Sequence, residues 1–187
     1  MHFTLTSFSP LITRGESIST DVPHSQIGCD DMTVIDTGGQ LVSLLTKALE
    51  IETTYEEAGM KQGYFHTETD RMREIIQMMI FDSKLHKTLV ESMIQRTNVP
   101  GEKIPNASSL GTYMLPAELN AMTMLGIADM EKLAHDLYSH IRSAVEASDT
   151  SAYLTPEDRK YVLETLAKLI HAEKVHYDVA MSSAGVF

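Results

Sequence analysis

Five residues of this chain combine donor types and spacings suited to metal chemistry: Glu52, His86, Glu131, Glu173 and His176. Glu173-Lys174-Val175-His176 is an E-x-x-H, and on a helix a three-residue step puts both side chains on one face. The tetrapeptide alone says little. Its weight comes from context, because each of the five interrupts a stripe of apolar residues. Three carboxylates in a dry core cost several kcal/mol each unless they are paired or bind a cation. The same stripes carry no matching set of lysines or arginines. Two divalent ions would offset that cost, and mixed carboxylate and imidazole donors suit iron, manganese or zinc better than calcium or magnesium.

The elements that position these residues are four helices with apolar positions at steps of three and four. The first begins after Thr37, where Thr37 and Gln40 form a capping-box pattern, and runs to about Gly63 with Leu41, Leu45, Ala48, Glu52 and Tyr55 inward. The second opens near Thr67-Glu68-Thr69-Asp70 and ends at Thr97-Asn98, with a seam of Met72, Ile76, Met79, Ser83, His86, Val90 and Met93. The third is expected from Pro116 to about Ala147 through Ala117, Ala121, Met124, Ala128, Glu131, His135 and Tyr138. The fourth starts at Thr155-Pro156-Glu157, with Val162, Leu166, Leu169, Glu173, His176 and Ala180 inward.

Short breaks join helices one to two and three to four, so each pair is expected to be an antiparallel hairpin. The segment from Asn98 to about Leu115, with Pro100 and Pro105, spans roughly 50 Å when extended, against roughly 45 Å for a thirty-residue helix. It is long enough to cross the bundle and leave helices two and three parallel. The midpoint of Glu131 and Glu173 is position 152, and that of Glu52 and Ser83 falls at 67–68; both lie in turn-like sequence, so each pair should sit level at mid-bundle. The chain also repeats its pattern. LTKALEIETTYEEAG (45–59) lies over MLGIADMEKLAHDLY (124–138), and IFDSKLHKTLVESM (80–93) over IHAEKVHYDVAMSS (170–183), matching Glu52 to Glu131 and His86 to His176.

Over residues 38–183 the sequence resembles the ferritin-like superfamily, particularly its rubrerythrin-like branch. The resemblance implies an all-α, ferritin-like four-helix bundle of two antiparallel hairpins with a long crossover between helices 2 and 3. It implies two iron ions, with manganese as the alternative, reacting with dioxygen or hydrogen peroxide. Glu52 and Glu131 would be terminal carboxylates, His86 and His176 the imidazoles, and Glu173 a bridging carboxylate; Glu52, Glu131 and Glu173 would carry the chemistry. Tyr138 also resembles a tyrosine common in these helices.

The departure is Ser83, which stands where the family has a second bridging glutamate. Three readings follow: five ligands with Glu173 as sole bridge, as the related manganese catalases manage; rescue by Asp82 through a local helix adjustment; or a site that has lost metal. Asp82, and Glu56 and His135 one turn from Glu52 and Glu131, are candidate extra ligands or residues that orient the ligands. Asp82, His140 and His171 lie off the main seams and are expected in solvent. The alternatives to an oxidoreductase are an iron-storage or metal-buffering protein and a non-catalytic helical bundle.

Composition sets the outer limits. Residues 1–36 read as an irregular arm and 37–187 as the bundle. Cys29 is the only cysteine, which excludes an internal disulfide and the four-cysteine iron domain that delivers electrons in a full rubrerythrin. An outside electron donor, or a disproportionation that needs none, would be required. A formal charge of −11 gives no footprint for nucleic acid, and no apolar run approaches a membrane span. The first residues make a poor secretory signal, so a cytoplasmic protein is expected, and the resemblance adds a homo-oligomer.

Overall fold

The computed structural model describes residues 34–54, 56, 64–65, 69–99, 101 and 124–185. The expected arm up to residue 33 and the start of the third helix at Pro116 lie outside them, as does most of the first helix beyond Thr54. Among the described residues the protein is all-helical, with four long helices and no strand: α1 (Gly38–Thr54), α2 (Asp70–Arg96), α3 (Met124–Ala147) and α4 (Pro156–Ser183). Among the described residues no helix is long and apolar enough to cross a membrane.

Each helix that keeps its start is capped as its sequence demands. At α1 the Gln40 amide donates to Thr37 Oγ1 (3.2 Å), while Gln40 Oε1 accepts from the amides of Asp36 (2.7 Å) and Thr37 (3.3 Å). Thr69 caps α2 by accepting from Met72, and Thr155 caps α4 by accepting from Asp158, with Pro156 in the first turn. These bonds satisfy amides that no preceding turn can reach.

Packing follows the apolar stripes. Leu41, Leu45, Ala48, Ile76, Met79, Val90, Met93, Val162, Leu166 and Leu169 are all buried. On α3 the expected stripe holds at Met124, Ala128, Glu131 and Tyr138 and differs at His135. The core receives Met124, Ile127, Glu131, Ala134, Tyr138, Ile141 and Val145, an unbroken alternation of three- and four-residue steps, and His135 is left half-buried at its edge. Ala134 and His135 both stand about one turn beyond Glu131 and flank the same line; Ala134 is the one buried.

One end of the bundle is closed by polar contacts. The Ile35 amide donates to Ser148 Oγ (2.8 Å), Tyr153 Oη donates to the Ile35 carbonyl (2.9 Å), and the Asn98 amide donates to the Tyr153 carbonyl (2.9 Å). The start of α1, the end of α2 and the α3–α4 turn therefore meet there. Arg96 Nη1 adds a 2.9 Å bond to Asp158 at the start of α4. Gly38 sits inside this junction: a Cβ would lie 2.8 Å from Val99 Cγ1, 2.9 Å from Tyr153 Cβ and 3.0 Å from the Asn98 carbonyl.

Alanine is the better helix former by about 1 kcal/mol, but overpacking against a backbone carbonyl and a Cβ costs about 1–3 kcal/mol. Gly38→Ala is therefore expected to destabilise the protein, and a thermal or denaturant melt that shows equal or greater stability would contradict the close packing described.

Candidate metal centre

All four helices deliver a polar group to one level of the core. Glu52 comes from α1, His86 from α2, Glu131 from α3, and Glu173 with His176 from α4; each is at most 4 % exposed. They form two groups whose ligand-type atoms lie within 4.8 Å of one another, Glu52–His86–Glu173 and Glu131–Glu173–His176. Glu173 belongs to both. These groups could hold metal ions.

The two imidazoles both turn Nδ1 inward. His86 Nδ1 lies 2.7 Å from Glu173 Oε1 and 3.4 Å from Glu52 Oε1; His176 Nδ1 lies 3.3 Å from Glu131 Oε2 and 3.9 Å from Glu173 Oε2. The rings stack 5.8 Å apart, inclined by 26°. The two oxygens of Glu173 thus face one imidazole each. Glu173 Oε1 is fully buried with no hydrogen-bond partner. A buried carboxylate oxygen without a hydrogen-bond partner, close to an imidazole nitrogen, could take a cation.

Outer contacts hold these side chains in place. Tyr138 Oη donates to Glu52 Oε1 at 2.8 Å. Asp82 stands off the main seam yet lies against the site: its Oδ2 is 3.0 Å from His176 Nε2. A carboxylate there favours the Nε2–H tautomer and leaves Nδ1 free to bind a cation. Asp82 therefore cannot serve as the substitute bridge while it holds that bond. Ser83 is buried on α2, one turn before His86, and its side chain is too short to supply a carboxylate there.

Glu56 and His135 enter neither group. Glu56 is buried, but its carboxylate pairs with Lys87 and, at 3.8 Å, with Lys84 across on α2. His135 faces its neighbour Asp136, Nδ1 to Oδ1 at 3.1 Å. His140 is partly buried, which lowers its pKa. No protein-family profile, curated protein or solved structure matches this chain.

Electrostatics mark Glu173 as the residue under most strain without metal. Burial, then the charges of Glu131 and Glu52, push its pKa well above the usual carboxylate value. For His176, burial pulls the pKa down, but Glu131 and Asp82 outweigh it and hold the value above that of a free histidine.

Folding of the metal-free protein favours the neutral carboxyl of Glu173. With a folded-state pKa above the unfolded one, this contribution is whole below the unfolded value and is lost as pH rises through the folded value. Metal-free Glu173→Gln is therefore expected to be more stable than the parent at pH 8, by about 1 kcal/mol or more, and no more stable at pH 4. Equal melting curves at both pH values would show that Glu173 is not desolvated as described.

Proposed function

We propose that this chain is a ferritin-like, carboxylate-bridged di-metal protein that takes two iron ions, with manganese as the alternative, and reacts with dioxygen or hydrogen peroxide. The observation that carries the proposal is Glu173, whose two oxygens face two inward-turned imidazoles while one of them has no hydrogen-bond partner. The finer fold belongs to the same proposal: two antiparallel hairpins, α1–α2 and α3–α4, with the long connection between α2 and α3 crossing the bundle. The meeting of the start of α1 with the end of α2 and the α3–α4 turn supports it.

The donor set fits the ions. Three carboxylates and two imidazoles from one buried level match iron or manganese, and sulfur ligands are absent from the groups. Glu173 would be shared between the ions, with Glu52 and His86 completing one set and Glu131 and His176 the other. Bound there, the ions would supply redox chemistry and Lewis acidity toward oxygen species.

The protein's own contribution is geometry, charge and dryness. Tyr138 and Asp82 aim Glu52 and His176. Ile76, Met79, Val90 and Leu169 exclude water, which strengthens each electrostatic contact inside. The position of Ser83 leaves three carboxylates, so with two dications the centre is one charge short of neutral and is suited to a small anionic oxygen ligand. A cytoplasmic location, an outside electron donor and a homo-oligomer complete this reading.

Ser83 also favours a second reading, a bundle that has lost its metals and keeps Glu173 protonated. Metal analysis separates the two. Protein purified without chelator, or reconstituted anaerobically with iron(II), is expected to hold two ions per chain and to consume dioxygen or peroxide. Glu173→Ala should lose both ions with its helices intact, and Ser83→Glu should bind iron more tightly. Substoichiometric metal after reconstitution, or a normal content in Glu173→Ala, would sink the proposal; many irons per chain in a large assembly would favour storage.

A further inference from the structure

We infer that the two ligand groups are unequal by construction: Glu131–Glu173–His176 takes the first divalent cation, and Glu52–His86–Glu173 holds a second, weaker and exchangeable one. This rests on the metal reading above and adds an order of loading to it.

One contact tilts the centre. Behind His176, Asp82 lies 3.0 Å from Nε2 and fixes the ring with Nδ1 toward the site. A carboxylate so placed raises the basicity of a ligating imidazole, and removing such partners costs 10–100-fold in metal affinity. Among the described residues His86 has no counterpart to Asp82. The ninety-residue offset that maps Ser83 onto Glu173 and His86 onto His176 maps Asp82 onto Ala172. Among the described residues, no carboxylate lies within ion-pair distance of His86 Nε2, whereas two surround its Nδ1.

The terminal carboxylates do not decide the order: Tyr138 donates to Glu52 Oε1, the same oxygen that faces His86, and holds it in place as Asp82 holds His176. Among the described residues, one imidazole has a carboxylate behind it and the other has none.

Two dications sharing Glu173 repel each other, so a two-step binding curve would arise even from identical groups. The location of the first ion is what decides. Metal-free full-length protein is titrated with cobalt(II), following the paramagnetic shifts of the two histidines and, in crystals at one equivalent, the anomalous signal of the ion.

The first equivalent is expected at His176, and brief dialysis of the fully loaded protein should empty the His86 group first. Asp82→Asn keeps an oxygen acceptor but loses the charge; it should weaken the His176 group about 10–100-fold and leave the His86 group nearly unchanged. Ala172→Asp should move part of the first equivalent to His86. Circular dichroism of both variants controls for folding.

A first ion at His86, equal occupancy of the two groups at one equivalent, or equal weakening of both groups in Asp82→Asn would overturn the inequality while leaving the metal reading intact. No cobalt binding by the parent protein would overturn both.

Discussion

A carboxylate held in an apolar core between two imidazoles is the constraint from which the rest of this structure follows. Glu173 loses its hydration on folding and gains, within the protein, two other carboxylates as neighbours. Nothing in an apolar helix bundle compensates that arrangement except protons or cations. The surrounding architecture can be understood as the means of holding it. Four helices are needed because the ligand atoms approach from four directions, and each helix contributes little more than one face. The seams around the site are largely apolar, and Tyr138, buried among them, gives its hydroxyl to Glu52.

Much of this was legible in the sequence because helical periodicity is a local property. Ser83 and His86 interrupt a run of four- and three-residue steps on α2, and Glu173 and His176 interrupt the equivalent run on α4; the structure buries all four. The caps at Thr37, Thr69 and Thr155 were readable for the same reason, since a capping bond spans three residues. The stripe on α3 was misjudged at His135 because two adjacent residues, 134 and 135, both stand one turn beyond Glu131. Only accumulated drift along the helix decides between them.

What the sequence did not reveal lies between helices. Asp82 stands off the seam of its own helix, yet it reaches His176, 94 positions away, because the helix that carries it packs against α4. Tyr138 was visible as a buried aromatic, but its bond to Glu52 spans 86 residues. Glu56 looked like a spare ligand one turn from Glu52, and Lys84 and Lys87 engage it from α2. In each case the type of residue was informative while its partner depended on rotation of one helix about its axis relative to another. Periodicity does not encode that rotation.

The distribution of the two ligand groups along the chain bears on how the protein assembles. Glu131, Glu173 and His176 all belong to α3 and α4, which a short turn connects, so that group is complete as soon as one local helical pair forms. The other group must recruit Glu52 and His86 from much earlier in the chain. Loop-closure entropy makes bringing Glu52 to Glu173 about 1 kcal/mol dearer than bringing Glu131 there. Contacts between near neighbours also form faster than those between distant segments. A cation held by Glu131, Glu173 and His176 would therefore act as a cross-link between two helices that are neighbours in the chain.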